Sequence, residues 1–93
     1  MKVHELKCVP ESFQAIYWGD KTADFRRNDR DYQVGDILIL RAWDTETRDY
    51  VSPEVERLAQ YHGLVARVSH METGFGIPEG YVMLSIKRWR AEK

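Results

Sequence analysis

The ten residues Lys21-Thr22-Ala23-Asp24-Phe25-Arg26-Arg27-Asn28-Asp29-Arg30 hold three arginines, one lysine and two aspartates. A helix-like pattern precedes them and the apolar run Ile37-Leu38-Ile39-Leu40 follows. Charge that dense between apolar elements costs solvation unless it lines a wet pocket or a ligand groove. The competing reading is a solvated strand and turn laced with salt bridges. Lys21 would neutralise a phosphate or act as a base, with the Thr22 hydroxyl beside it; otherwise it is a solvated strand end. Asp24 and Arg26 stand two residues apart on one strand face and could pair with each other. Alternatively Asp24 accepts from an amino group on a base edge while the planar fork of Arg26 holds a phosphate. Arg27 and Arg30 flank Asn28-Asp29. One of them is expected to bridge Asp29 or Asp31, leaving the other for a phosphate.

These side chains need elements to hold them. Val3 to Val9 reads as a strand with His4, Leu6 and Cys8 on one side. Pro10 opens a helix where its missing N–H costs nothing. Phe13, Ile16 and Tyr17 form the buried stripe of that helix, and Gly19 closes it with a left-handed cap. Lys21 to Arg27 is the second strand, with Thr22, Asp24 and Arg26 on one face and Lys21, Ala23 and Phe25 on the other. Asn28-Asp29-Arg30-Asp31 and Val34-Gly35-Asp36 are turns. Ile37 to Trp43 is a strong third strand, with Ile37, Ile39 and Arg41 opposite Leu38, Leu40 and Ala42. Asp44 to Arg48 is a polar hairpin tip, and Asp49 to Val51 begins a return strand. Ser52-Pro53 reads as a cap and helix start, giving a helix over 52–63. Leu64 to Met71 and Tyr81 to Trp89 are the closing strands, joined by the glycine-rich loop 73–80. The pattern predicts a single α+β domain over 1–93, barrel-like, with flanking helices.

Composition sets the bounds. The chain has 93 residues, 43% of them apolar and 31% charged, and one cysteine. That is one soluble globular domain with no internal disulfide and no multi-cysteine metal site. No apolar run approaches a membrane span and the N-terminus lacks a signal-peptide core, so a cytoplasmic location is expected. The net charge of −1 hides segregation: residues 87–93 carry +3 and residues 44–56 carry −4. A basic face attracts phosphates even on a neutral chain.

Other residues offer less. His4 and Glu5 diverge on a strand, which argues against a metal site and for a satisfied structural histidine. His62 and His70 read as surface, and Cys8 as a small core residue. Among the aromatics, Trp18 beside the helix cap and Trp43 beside the acidic hairpin are candidate stacking platforms. Residues 73–80 lack the order of a phosphate loop. No cofactor is expected.

The order His4-Glu5-Leu6-Lys7, Pro10, Phe13, Gly19-Asp20-Lys21, Arg27-Asn28-Asp29-Arg30-Asp31-Tyr32-Gln33-Val34-Gly35-Asp36 and Gly80-Tyr81-Val82-Met83-Leu84 resembles a small ASCH-like, PUA-related family of uncharacterised bacterial and phage proteins. The resemblance implies a PUA-like mixed β-barrel that binds RNA, modified bases or nucleotides in a cleft beside the second strand. Residues 52–63 look like a helical insertion relative to similar chains. The ligand-binding set expected on this basis is Lys21, Thr22, Asp24, Arg26, Arg27, Arg30 and Trp18.

Two alternatives accompany that expectation. Some ASCH-type relatives are amidohydrolases acting on a modified cytidine with a lysine, a threonine and a glutamate. Lys21 occupies the lysine place here, whereas Asp24 stands where the threonine belongs. Only Glu72 and Glu79 lie near the expected cleft as glutamates. Lys21 and Asp24 would then be an acid–base pair on a water or an RNA 2′-hydroxyl. The other alternative is a phage-encoded protein-interaction module docking through 44–56.

Overall fold

A computed structural model describes residues 1–50 and 63–88. The helix expected over 52–63 falls outside these residues except for Gly63, as do His62, Trp89 and residues 90–93 with the basic Arg90 and Lys93. Alternation builds most of the rest. β1 (Val3–Cys8) buries every second residue, His4, Leu6 and Cys8. α1 (Pro10–Tyr17) starts on its proline and buries Phe13 and Ile16. It ends where Gly19 adopts φ +86°. There the Gly19 N–H donates to Ile16 O at 3.1 Å and the Asp20 N–H to Ala15 O at 2.8 Å, which satisfies the last helical carbonyls.

β2 (Ala23–Arg27) begins two residues later than the alternation predicts. β3 (Ile37–Asp44), β4 (Asp49–Tyr50), β5 (Leu64–Glu72) and β6 (Tyr81–Arg88) complete the sheet. The strands lie in the order β1-β3-β5-β6-β2, with β4 paired to the far end of β3. β1 runs parallel to β3, and the other pairs along the path are antiparallel. The chain therefore places its first two strands at opposite ends of the hydrogen-bonded path.

The inward rows pack together. Leu6, Leu38, Leu40, Leu64, Ala66, Val68, Val82, Leu84 and Ile86 form one cluster with Phe13 and Ile16 of α1 and Tyr32 of the 28–36 segment. Burial on this scale contributes roughly 25 cal/mol per Å² of apolar surface and is what fixes the strand register. A bulge between Val68 and His70 in β5 adds local twist, which favours curling of the sheet.

The sheet curls until its two ends nearly meet, but it does not close. β1 and β2 share no backbone ladder in this topology. The expected barrel is thus an open α+β sheet with a seam, and arginine side chains span the seam in place of main-chain bonds. Among the described residues no helix is long and apolar enough to cross a membrane.

Candidate functional site

The seam is where the sequence puts its cations. Glu5 and Lys7 of β1 are two apart, so their carbonyls point to the same side, away from β3. The Lys7 carbonyl accepts from Arg26 Nη2 at 2.8 Å and the Glu5 carbonyl from Arg30 Nη1 at 3.4 Å. Moving forward along β2 and its turn thus moves backward along β1, the course of an antiparallel pair held one side chain apart. Two edge carbonyls of β1 thus find donors without a neighbouring strand, which also helps guard that edge.

A cleft of about 490 Å³ opens along this seam. Glu5, Leu6 and Lys7 form its β1 wall; Phe25, Arg26 and Arg27 form its β2 wall. Asp29, Arg30 and Tyr32 of the segment after β2, with Tyr50 of β4, complete the lining. Its volume is that of a small-ligand site. Four cations face two carboxylates across it, and one of those carboxylates, Glu5, already lies 3.6 Å from Arg41 Nη1. The local field favours an anion.

Local structure explains each orientation. Asp24 lies opposite Leu84 and Arg26 opposite Val82, so both side chains turn inward. Asp24 is 6% exposed and accepts from Arg26 Nε. The guanidinium is therefore fixed on two sides, by a buried carboxylate and by the Lys7 carbonyl. Arg27 turns outward beside Tyr81, donating from Nη2 to its hydroxyl at 3.2 Å. Asn28 caps the turn: its Oδ1 accepts from the Tyr32 N–H at 3.3 Å. This helps seat the Tyr32 ring against the His4 ring, centroids 4.8 Å apart. Burial raises the Tyr32 phenol above its ordinary pKa, against the pull of Arg26 and Arg30.

The residues expected to form one site divide into two groups. Arg26, Arg27 and Arg30 meet in the cleft. Lys21, Thr22, Asp24 and Trp18 do not line it. Lys21 Nζ donates to Ser12 Oγ at 2.9 Å, tying the segment before β2 to α1. The Thr22 carbonyl accepts from the Ile86 N–H. Trp18 is 64% exposed at the helix cap, edge-on to Tyr17. The pairing of Asp24 with Arg26, the plainer of the two readings, is the one formed, and it leaves Asp24 beneath the guanidinium.

Cys8 lies close enough to these charges to feel them. Burial and the Asp24 charge push its thiol up to about 11, against Arg26 and Lys21. It is a core residue rather than a nucleophile. Trp43, the other expected platform, carries the Lys7 ammonium 3.8 Å above its ring centroid and the Tyr50 ring edge-on at 5.0 Å.

Sequence reasoning missed Lys7, Phe25, Tyr32 and Tyr50 as cleft residues. For Lys7 there was a signal: it stands on the outward row of β1, next to apolar positions it does not share. Phe25 and Tyr32 neighbour Arg26 and Arg30 in the chain, whereas Tyr50 joins them only through the fold.

The chain is similar to an uncharacterized 12.9 kDa protein in the GpA 3′ region of Escherichia phage P2, with 45% identity over 42 residues. The aligned stretch spans 45% of this chain and 38% of that protein's length. A family model matches residues 3–86, from the first residue of β1 into β6 and so across both walls of the cleft. The chain belongs to the family described as a domain of unknown function, DUF3850.

Proposed function

We propose that the protein is an RNA- or nucleotide-binding module that seats a phosphate in the seam between β1 and β2. The observation that carries this reading is the convergence of Arg26, Arg27, Arg30 and Lys7 on one open cleft. Two of the guanidinium groups are oriented by β1 carbonyls and by Asp24. A guanidinium has more donors than those bonds use, and its planar fork matches phosphate geometry. Pre-oriented donors lose little freedom when an anion arrives. The resemblance to ASCH-like, PUA-related proteins supports the same site, because it implies a ligand cleft beside the second strand. The amidohydrolase alternative draws less support: Lys21 is engaged with Ser12, and Asp24 is covered by Arg26.

The test is a fluorescence anisotropy titration with a labelled oligoribonucleotide. Arg30→Ala is expected to weaken binding about tenfold, the loss of one charge-assisted phosphate contact. Arg27→Ala should act in the same direction. Both side chains sit at the exposed rim, so circular dichroism should be unchanged. Undiminished affinity in both variants would refute the cleft. Arg26→Ala is the wrong probe, since it strands the buried Asp24 carboxylate and destabilises the fold.

A further inference from the structure

The outer lip of the cleft carries an aromatic surface that the fold does not use. Phe25 is 45% exposed. Its ring stacks on Tyr81 with centroids 5.3 Å apart and planes 12° from parallel. Arg27 lies over the other part of this surface, its Cζ 5.5 Å from the Tyr81 centroid. The register explains the grouping: Arg27 faces Tyr81 and Phe25 faces Met83 on the outward rows of β2 and β6. Phe25 and Arg27 also line the cleft, so the platform and the anion site share an edge.

We infer that this platform stacks an unpaired base of a single-stranded RNA whose neighbouring phosphate occupies the cleft. The inference rests on the proposed cleft reading and deepens it from a nucleotide to a strand. A ligand suited to this edge must be flat and apolar on one side and anionic within a few ångströms of it. A nucleotide unit has that composition. An apolar peptide would leave the arginines without a counter-charge, and an acidic peptide would leave Phe25 without a flat partner. Duplex RNA keeps its base faces buried in its own stack, which limits the platform to unpaired bases.

The test uses two probes on the same protein. A labelled single strand of roughly 12 nucleotides reports the platform and the cleft together, and inorganic pyrophosphate, which has no base, reports the cleft alone. Phe25→Leu keeps an apolar side chain in the β2 wall and is expected to weaken the single strand about tenfold while changing pyrophosphate affinity far less. Phe25→Trp restores a ring and should retain strand binding. Thermal melts of both variants check the fold. If Phe25→Leu binds the strand as tightly as the parent, with pyrophosphate binding intact, the platform is refuted and the cleft stands. Equal weakening toward a duplex of the same sequence would also overturn it. Failure of the parent protein to bind either probe overturns the cleft and the platform together.

Discussion

At 1% exposure, the Asp36 carboxylate accepts from the Lys2 N–H at 3.0 Å, the Gln33 N–H at 3.0 Å and His4 Nε2 at 2.9 Å. One side chain thereby joins the start of β1 to the turn that leads into β3. Burial by itself would raise the Asp36 pKa, but the His4 bond and the two backbone donors outweigh it and hold the group at about 2. The ordinary value is 3.8, so the folded state binds this proton less readily than the unfolded chain. The stabilisation is therefore complete above the ordinary value and disappears as pH falls from there toward 2. Urea midpoints measured from pH 5 downward should drop through that window, and Asp36→Asn should flatten the drop. An unchanged acid slope in Asp36→Asn would assign it to other carboxylates. The sequence reading of His4 as a satisfied structural histidine agrees with this arrangement. Its partner was not legible, because Asp36 lies in a turn 32 residues away and reaches His4 only through the parallel pairing of β1 with β3.

At the scale of elements, alternation and punctuation located most of the architecture. The inward rows of β1, β3 and β6, the helix stripe at Phe13 and Ile16, and the cap at Gly19 all follow from residue type and period. What periodicity does not carry is which strands end up adjacent. β1 and β2 are consecutive in the chain yet stand at opposite ends of the path, and only the curl returns them to each other. The seam was hidden for that reason, so the outward position of Lys7 did not reveal which opening it lines. The same limit placed Lys21 and Asp24 in a site they do not line: sharing a strand with Arg26 says nothing about which of them meets the opening. Gly63 illustrates a position where local chemistry is decisive. Its φ is +125°, and an added Cβ would lie 2.8 Å from the Leu40 carbonyl oxygen. That oxygen belongs to the backbone of β3, at the end of the β3–β5 pairing where Leu40 faces Leu64. Gly63→Ala should cost about 1–3 kcal/mol through the left-handed backbone and the crowded β3–β5 approach. A chemical melt would read the change, and a stability equal to the parent would show that β5 can shift to make room.

Over the whole molecule, a net charge of −1 would steer no anion. The folded chain gathers cations locally instead. Lys7, Arg26, Arg27 and Arg30 line the seam, while Asp44, Glu46 and Asp49 are grouped at the β3–β4 turn and the strand ends beside it. Charge arrangement matters more than the total here, and salt is the means of seeing it. If about three phosphates of a single strand are neutralised in the cleft, log K should fall against log salt with a slope of about −2. Each cation removed should lower that slope by about 0.7, so Arg30→Ala and Arg27→Ala flatten the line as well as weaken binding. Phe25→Leu should weaken binding at every salt concentration and leave the slope where it was, since stacking releases no counterions. Parallel lines for Arg30→Ala and the parent would mean that Arg30 meets no phosphate. A slope near zero for the parent would mean that whatever the cleft binds is not held by its charge.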